Sequence, residues 1–321
     1  MNLHNPIGGY FELELQDLEL LHRNAMLLNS ARSCFEYVLL ALKPRKVFIP
    51  KYTCDVILEP LQRTATDYEF YSIDSLLEIS EEITLKEDEL ILYTNYFGVK
   101  DSYCNSIVDK YGKGVIIDAS QAYYYIPESD AVTFYSPRKY FGVPDGGELV
   151  NAPKLEQEFL KDVSLERFEH LIKRIELGPE LGYEQFKRDD ESLNGEGVKL
   201  MSELTEKILR SIDYAGIKAK RNMNFSHLHK SLARLNKLKL DSDSITAPMV
   251  YPFVTDNPGM RQKLINKGIY VANYWPNIKD WAGVEEFEYL LADNLIALPI
   301  DQRYNIDDMN RILEAIDECT N

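Results

Sequence analysis

The stretch from Val115 to Val150 constrains the fold of this chain more than any other. An apolar run stops at the carboxylate of Asp118, and a second apolar run, from Ala131 to Tyr135, leads directly into Ser136-Pro137-Arg138-Lys139. Ligands of open α/β sheets bind at the carboxyl ends of strands, so an acid and a lysine at neighbouring strand ends are expected to face one cleft. This pairing suggests carbonyl or imine chemistry.

Taken singly, these residues have ordinary explanations. An aspartate after a strand is often a helix N-cap, and a lysine before a glycine turn is often solvated. The ordered set is more specific, and it comprises Asp118-x-x-Gln121-Ala122, Ser136-Pro137-x-Lys139-x-x-Gly142 and Asp145-Gly146-Gly147. This set resembles the signature of the DegT/DnrJ/EryC1/StrS family of sugar aminotransferases, which are pyridoxal 5′-phosphate (PLP) enzymes of the aspartate aminotransferase fold.

Strands that alternate with helices along the chain predict a parallel, doubly wound sheet. The resemblance implies more: an α/β, PLP-dependent transferase fold of type I, with a mainly parallel central sheet flanked by helices and a smaller C-terminal α+β domain. We predict a large PLP-binding domain with an N-terminal arm at residues 1–225 and a small domain at 226–321. Within them we expect a helix over 154–176, a loop over 178–197 and a strand over 269–273.

Composition excludes several classes of function. With 321 residues, of which 45% are hydrophobic, the chain can bury one large core and a smaller second one. A net charge of −16 disfavours a broad nucleic-acid or anionic-membrane surface, and no apolar run is long enough to span a bilayer. His227 and His229 lie on different faces of a helix, so we expect no metal site.

The cysteines and the N-terminus indicate a cellular compartment. The four cysteines lie far apart without CxxC spacing, and the chain does not open with a signal-type apolar segment. We therefore expect reduced thiols in a cytoplasmic protein.

The resemblance implies a role for each residue of the central stretch. Asp118 pairs with the ring nitrogen of PLP, and Gln121 lies beside the ring near its phenolic oxygen. Ser136, with Thr133 as a further candidate, donates to the phosphate. Lys139 binds the cofactor covalently and moves the proton during transamination.

The cofactor-binding lysine of the family can be aligned with this sequence in two ways. Counting back from Asp145 puts the lysine position of the family on Arg138, whereas aligning Pro137 and Gly142 puts it on Lys139 with one residue deleted in the turn. Arginine stays charged and cannot make the covalent bond, so we assign Lys139. If Arg138 occupies the position, the protein binds a cofactor or a sugar without transaminating.

The rest of the predicted cofactor site comes from two earlier segments. Ser30, Ala31 and Arg32 precede an apolar helical pattern, and free N–H groups at a helix start favour a phosphate. The family usually has Ser-Gly-Thr here, so Arg32 replaces a hydroxyl with a guanidinium that pairs well with phosphate. Tyr96, which follows a strand, is expected to stack on the cofactor ring.

By resemblance, the partners are a nucleotide-linked keto-sugar, an amino-acid donor such as glutamate and a second copy of the chain in a homodimer. In the family, an asparagine of one subunit contacts the cofactor phosphate in the neighbouring subunit. Val198 and Lys199 stand at the aligned positions here, so Lys199 is a candidate for this contact. Transamination for surface polysaccharide or glycoconjugate synthesis is the first hypothesis. The alternatives are a sugar dehydratase, disfavoured because residues 115–150 contain no histidine, a non-transaminating or regulatory relative, and an unrelated α/β binding protein.

Overall fold

The computed structural model describes residues 7–257 and 259–320 of the chain. Its main sheet has the strands β1 (Met26–Leu28), β2 (Lys46–Pro50), β3 (Asp67–Tyr71), β4 (Glu89–Thr94), β5 (Val115–Asp118), β6 (Val132–Tyr135) and β7 (Gly147–Val150). The strand order is β1-β7-β6-β5-β4-β2-β3. All neighbouring pairs from β6 to β3 are parallel, while β7 is antiparallel to both β6 and β1. The predicted, mainly parallel sheet is therefore confirmed.

Helices cover both faces of this sheet. They are α1 (Ala31–Leu42), α2 (Leu58–Arg63), α3 (Asp101–Tyr111), α4 (Glu169–Leu177), α5 (Pro179–Glu191), α6 (Glu203–Arg210) and α7 (Tyr214–Leu232). Successive side chains of a strand point to opposite faces. Ile116 therefore packs with Phe35 of α1 on one face, and Ile117 belongs to the core on the other. Burial on both faces explains why the central strands β4 and β5 are mainly apolar.

The C-terminal part of the chain forms a smaller, second core. This part of the chain contains the antiparallel strands β8 (Tyr251–Val254) and β9 (Leu295–Leu298) and the helices α8 (Met260–Asn266), α9 (Ile278–Trp281), α10 (Phe287–Asn294) and α11 (Ile306–Thr320). The helices α8 and α11 pack into the second core, whereas Ile278 of α9 and Leu291 of α10 belong to the large core. Phe225 and Leu228 of α7 also pack into the second core. The predicted division at residue 225 falls inside α7, and it stays a prediction.

The loop predicted over residues 178–197 is wrong, because α5 occupies most of it. Gly178, at φ +88°, separates α4 from α5, and Pro179 opens the new helix. Gly182 faces α4, where a Cβ would make an ordinary contact at 3.4 Å with the His170 carbonyl oxygen. Most of α5 faces solvent, which is why its sequence lacks the apolar periodicity of a helix.

Two other predicted elements differ from the structure. The helix expected from residue 154 begins only at Glu169, after a short 3-10 turn at Leu165–Arg167. The strand expected over 269–273 is reduced to one isolated bridge between Ala272 and Ala297. Within the described residues, no helix is long and apolar enough to cross a membrane.

Glu148 on β7 is a buried carboxyl outside the predicted site. The Tyr123 hydroxyl donates to its Oε1 at 2.6 Å, and its Oε2 has no hydrogen-bond partner among the described residues. Burial raises the pKa of Glu148 from 4.5 to about 7, against the opposing hydrogen bond from Tyr123.

Because the pKa of Glu148 is higher in the folded state, its stabilising contribution is complete below pH 4.5 and is lost as the pH rises through about 7. We expect the free energy of unfolding of the wild type to fall by about 1–3 kcal/mol more between pH 5 and pH 8 than that of Glu148→Gln. Urea denaturation across this pH range measures the difference, with the exposed Glu87→Gln as control. Equal pH dependence in the wild type and Glu148→Gln contradicts the prediction.

Candidate active site

A cavity of about 220 Å³ opens at the carboxyl ends of β4, β5 and β6. Most residues of the predicted cofactor site lie in its wall, namely Ser30, Ala31, Arg32, Asp118, Gln121, Ser136 and Lys139. These residues come from three separate segments of the chain. The fold thus brings together what the sequence predicted to converge.

Asp118, the last residue of β5, supplies the carboxylate of the cavity. It is only 8% exposed, and its Oδ1 accepts the backbone N–H of Ser120 at 2.8 Å. Burial raises the pKa of Asp118, while the hydrogen bonds from Ser120 and the positive charge of Lys139 oppose the rise. Asp118 and Lys139 are therefore close enough to interact electrostatically.

Lys139 ends a 3-10 turn, Pro137–Lys139, that directly follows β6. Its side chain is exposed because the cavity opens to solvent, and its Nζ makes no hydrogen bond or ion pair in the described part of the chain. The neighbouring Arg138 also reaches the cavity wall, but its guanidinium donates to Asp190 Oδ1 of α5 at 2.8 Å. The positive charge of Lys139 opposes the raised pKa of Asp118. This favours Lys139 at the reactive position, and the assignment stays a prediction.

Gln121 is held rigidly beside Asp118. Its Oε1 accepts the backbone N–H of Phe97 at 2.8 Å, which fixes the orientation of the side-chain amide. Its Nε2 is buried and has no hydrogen-bond partner among the described residues. A ligand with a hydrogen-bond acceptor at this point would therefore satisfy the buried amide N–H of the cavity wall.

The N-terminus of α1 contributes to the wall of the same cavity. Ser30 caps the helix, because its Oγ accepts the Ser33 N–H at 3.0 Å. Gly147 at the start of β7 lies directly against this cap, since a Cβ there would lie 2.3 Å from the Ser30 carbonyl oxygen and 2.7 Å from the Ala31 nitrogen. The turn before β7 therefore fixes the position of the helix start.

Arg32 is already paired with other protein groups. Its Nη1 donates to Glu59 Oε2 at 2.8 Å and to the Leu193 carbonyl at 3.1 Å, and Asn194 Oδ1 accepts from both Nη atoms at 3.2 Å. Its Nε, like that of Arg138, is buried and has no partner within the described chain. The guanidinium is thus held by its outer nitrogens, and these bonds do not use its Nε.

Three residues named from the sequence are not part of the wall of this cavity. Tyr96 is fully buried, and its hydroxyl donates to the Tyr52 carbonyl at 3.0 Å. Thr133 donates to the Ala131 carbonyl at 3.1 Å, and Lys199 forms an ion pair with Glu196.

Sequence reasoning missed several residues of the wall. Cys54, Asp190, Leu193 and Trp275 all line it, the last from the C-terminal part of the chain. The only signal for Trp275 is the aromatic motif Tyr274-Trp275-Pro276, and Asp190 lies in the segment interpreted as a loop. Among the described residues, no group of three or more His, Cys, Asp or Glu is placed to hold a metal ion.

No family model matches the sequence, and no curated protein does either. Solved structures match over nearly the whole chain. The sugar aminotransferase CalS13 from Micromonospora echinospora is 15% identical, with a TM-score of 0.62 over 91% of this chain and 86% of its own. NtdA from Bacillus subtilis with bound cofactor PMP is 15% identical, with a TM-score of 0.63 over 92% and 73% of the two chains.

A DegT DnrJ EryC1 StrS aminotransferase from Brucella abortus is also 15% identical, with a TM-score of 0.58 over 92% of this chain and 85% of that one. The chain has the fold of the sugar aminotransferases. The resemblance seen in the sequence is thereby confirmed for the fold, including its mainly parallel sheet. At this level of identity the likeness establishes the fold alone, so the activity has to be argued from the residues of the cavity.

The contact between Gly147 and Ser30 gives a test of how the cavity is built. We expect Gly147→Ala to lower the free energy of unfolding by about 2–3 kcal/mol, because the new methyl group overlaps backbone atoms that cannot move independently. Urea denaturation measures the loss. The matched control is Gly197→Ala, where a Cβ meets nothing within 4 Å. Equal stability of the two variants would show that α1 is not held in place by this contact.

Proposed function

We propose that this protein is a PLP-dependent aminotransferase that transfers an amino group from an amino-acid donor, such as glutamate, to a nucleotide-linked keto-sugar. We place the reaction in the cytoplasm, in the synthesis of a surface polysaccharide or related glycoconjugate. The observation that carries the proposal is the meeting of Asp118, Gln121 and Lys139 at one cavity, in a chain with the aminotransferase fold. The sugar, the donor and the homodimer rest on the resemblance in sequence.

The wall of the cavity fits a ligand that is rich in oxygen acceptors. Three buried donor atoms of its residues have no partner in the described part of the chain, and they are Arg32 Nε, Gln121 Nε2 and Arg138 Nε. A buried donor without a partner costs free energy, so binding that supplies acceptors is favoured. The phosphate and phenolic oxygens of PLP are such acceptors.

The Asp118 carboxylate, in contrast, needs a ligand that donates a hydrogen bond. A buried Asp118 with a raised pKa is stabilised in its charged form by a cationic N–H group, and the protonated ring nitrogen of PLP provides one. Ser30 and Ser136 lie at the same cavity as hydroxyl groups for the phosphate, beside the N-terminus of α1. Every part of the cofactor therefore has a matching group in the wall.

When bound, PLP supplies an electron sink for charge that develops at the carbon bearing the amine. The residues of the chain do the remaining work. Asp118 keeps the ring nitrogen protonated, which is the state in which the ring withdraws electrons best. Gln121 orients the ring, and the Lys139 amine anchors the cofactor and carries the proton to and from the reacting carbon.

Arg32 compensates for the missing threonine at the helix start. Because Glu59 and Asn194 hold its outer nitrogens, the guanidinium stays at the cavity at little cost in side-chain entropy. We propose that its free Nε donates to the cofactor phosphate, with Ser30 and Ser136 as the hydroxyl donors. A charged donor of this kind makes a stronger hydrogen bond than a neutral hydroxyl.

The assignment of Lys139 can be tested directly. After incubation with PLP and reduction with borohydride, we expect mass spectrometry to find the cofactor on the peptide that contains Lys139. The wild type with bound PLP should be yellow. Lys139→Ala should lose this colour and the modified peptide, whereas the exposed Lys113→Ala should keep both.

Label on another lysine would move the assignment elsewhere. A colourless wild type that binds no PLP would overturn the proposed function. A wild type that binds PLP without a covalent bond would instead favour a non-transaminating relative. That second candidate draws support from Arg32 and Arg138, whose charges are already paired with Glu59 and Asp190.

The role of Asp118 can be tested without knowing the sugar, because glutamate alone converts bound PLP into its amine form. We expect Asp118→Asn to keep the cofactor on Lys139 but to slow this conversion by about 100-fold or more, since the neutral amide no longer favours the protonated ring. Stopped-flow absorbance measures the rate. The exposed Asp130→Asn should react at the wild-type rate, and a normal rate in Asp118→Asn would remove Asp118 from this role.

A further inference from the structure

The guanidinium of Arg221 on α7 is a charged group inside the protein core. The residue is 1% exposed, and within the described chain no carboxylate makes a hydrogen bond to it. Instead, its Nη1 donates to the carbonyls of Pro248 and Met249, both at 3.0 Å, and its Nε donates to Gln302 Oε1 at 3.1 Å. A buried cation that is satisfied by neutral acceptors depends on each of them, so these contacts fix its position.

The partner of Arg221 on the sheet side is Tyr140, the residue next to Lys139. The guanidinium lies over the Tyr140 ring at 4.3 Å from the centroid, and its Nη2 approaches the Tyr140 carbonyl at 3.5 Å. Gln302 donates to the same carbonyl at 2.7 Å. The backbone immediately after Lys139 is therefore held by two residues from the C-terminal half of the chain.

Tyr140 also contacts the backbone of Gln121, a residue of the cavity wall. Its hydroxyl donates to the backbone carbonyl of Gln121 at 2.9 Å. The contact is tightly enclosed, because a Cβ on Gly98 would lie 3.0 Å from that carbonyl oxygen and 3.2 Å from the Tyr140 hydroxyl. One side chain, itself clamped by Arg221, thus links the residue after Lys139 to the backbone of Gln121.

We propose that Arg221 is a positioning residue that acts through Tyr140 to hold Lys139 and Gln121 in a fixed relation at the cavity. The inference rests on the proposed function, since it concerns the geometry of the same site. It adds that the reactive lysine is oriented from α7 and from the segment after β9, neither of which contributes a side chain to the cavity wall. Movement of the C-terminal part of the chain would therefore change the lysine environment.

The test compares the spectrum of bound PLP in three variants with a matched control. Tyr140→Phe removes the hydroxyl that donates to the Gln121 carbonyl and, at 3.4 Å, to the Ala247 carbonyl. Arg221→Lys keeps the charge but loses the planar fork of donors. Gln302→Leu serves if Arg221→Lys does not fold. The control is Tyr71→Phe, which removes a buried hydroxyl that also donates to a backbone carbonyl, that of Leu92, at 2.9 Å.

We expect Tyr140→Phe and Arg221→Lys to weaken PLP binding by about 3- to 10-fold, as for the loss of one hydrogen bond. We also expect both to shift the pH profile of cofactor absorbance and to reduce its visible circular dichroism, which reports how rigidly the ring is held. Tyr71→Phe should lower the melting temperature without changing any of these signals.

The inference is overturned if Tyr140→Phe keeps the wild-type circular dichroism and pH profile while PLP is still found on Lys139. It is also overturned if Tyr71→Phe changes the spectra as much, since the effect would then be general loss of stability. A wild type that never attaches PLP would instead reject the proposed function, and the role of Arg221 with it.

Discussion

The burial of the Asp118 carboxyl at the end of β5 is the constraint on which the site depends. A carboxylate in a low-dielectric surrounding is destabilised unless hydrogen bonds or a positive charge compensate for the lost water. In this chain the Ser120 N–H and the charge of Lys139 compensate in part, and burial still raises the pKa of Asp118. The remaining deficit favours a ligand that brings its own cationic N–H to this wall.

The topology of the sheet explains why the other groups meet at the same place. Because β4, β5 and β6 are parallel, the residues that follow them emerge at one edge, where Asp118 and Lys139 become neighbours. The chain then turns through Asp145, whose buried carboxylate accepts the Ser202 N–H at 3.1 Å, and enters β7 in the opposite direction. That reversal brings Gly147 against Ser30, so the same turn that ends the lysine segment also fixes the start of α1.

The part of the site that is contiguous in sequence could be predicted, because strand ends carry their own signal. Asp118, Gln121, Ser136 and Lys139 all follow apolar runs within one stretch, and the structure brings them to one cavity. The strand-end position of Tyr96 did not predict whether this residue lines the cavity. Phe97 adopts a left-handed conformation, at φ +56°, and Tyr96 is buried away from the cavity, which hydropathy alone does not reveal. Asp190 and Trp275 reach the wall only through tertiary contacts between distant segments, and the local sequence pattern does not predict such contacts.

The segment after α5 explains how an arginine can stand at the helix start in place of a hydroxyl residue. A single buried cation at that point would be unstable, but Glu59 neutralises the charge of Arg32, and Leu193 and Asn194 supply neutral acceptors. A guanidinium has five N–H donors in a rigid fork, so these bonds to its outer nitrogens do not use its Nε. The same pattern recurs at Arg138, where Asp190 binds Nη1 and Nε stays without a partner in the described chain. A phosphate at this end can therefore gain two charged donors without displacing either carboxylate, which makes the departure from the family pattern compatible with cofactor binding.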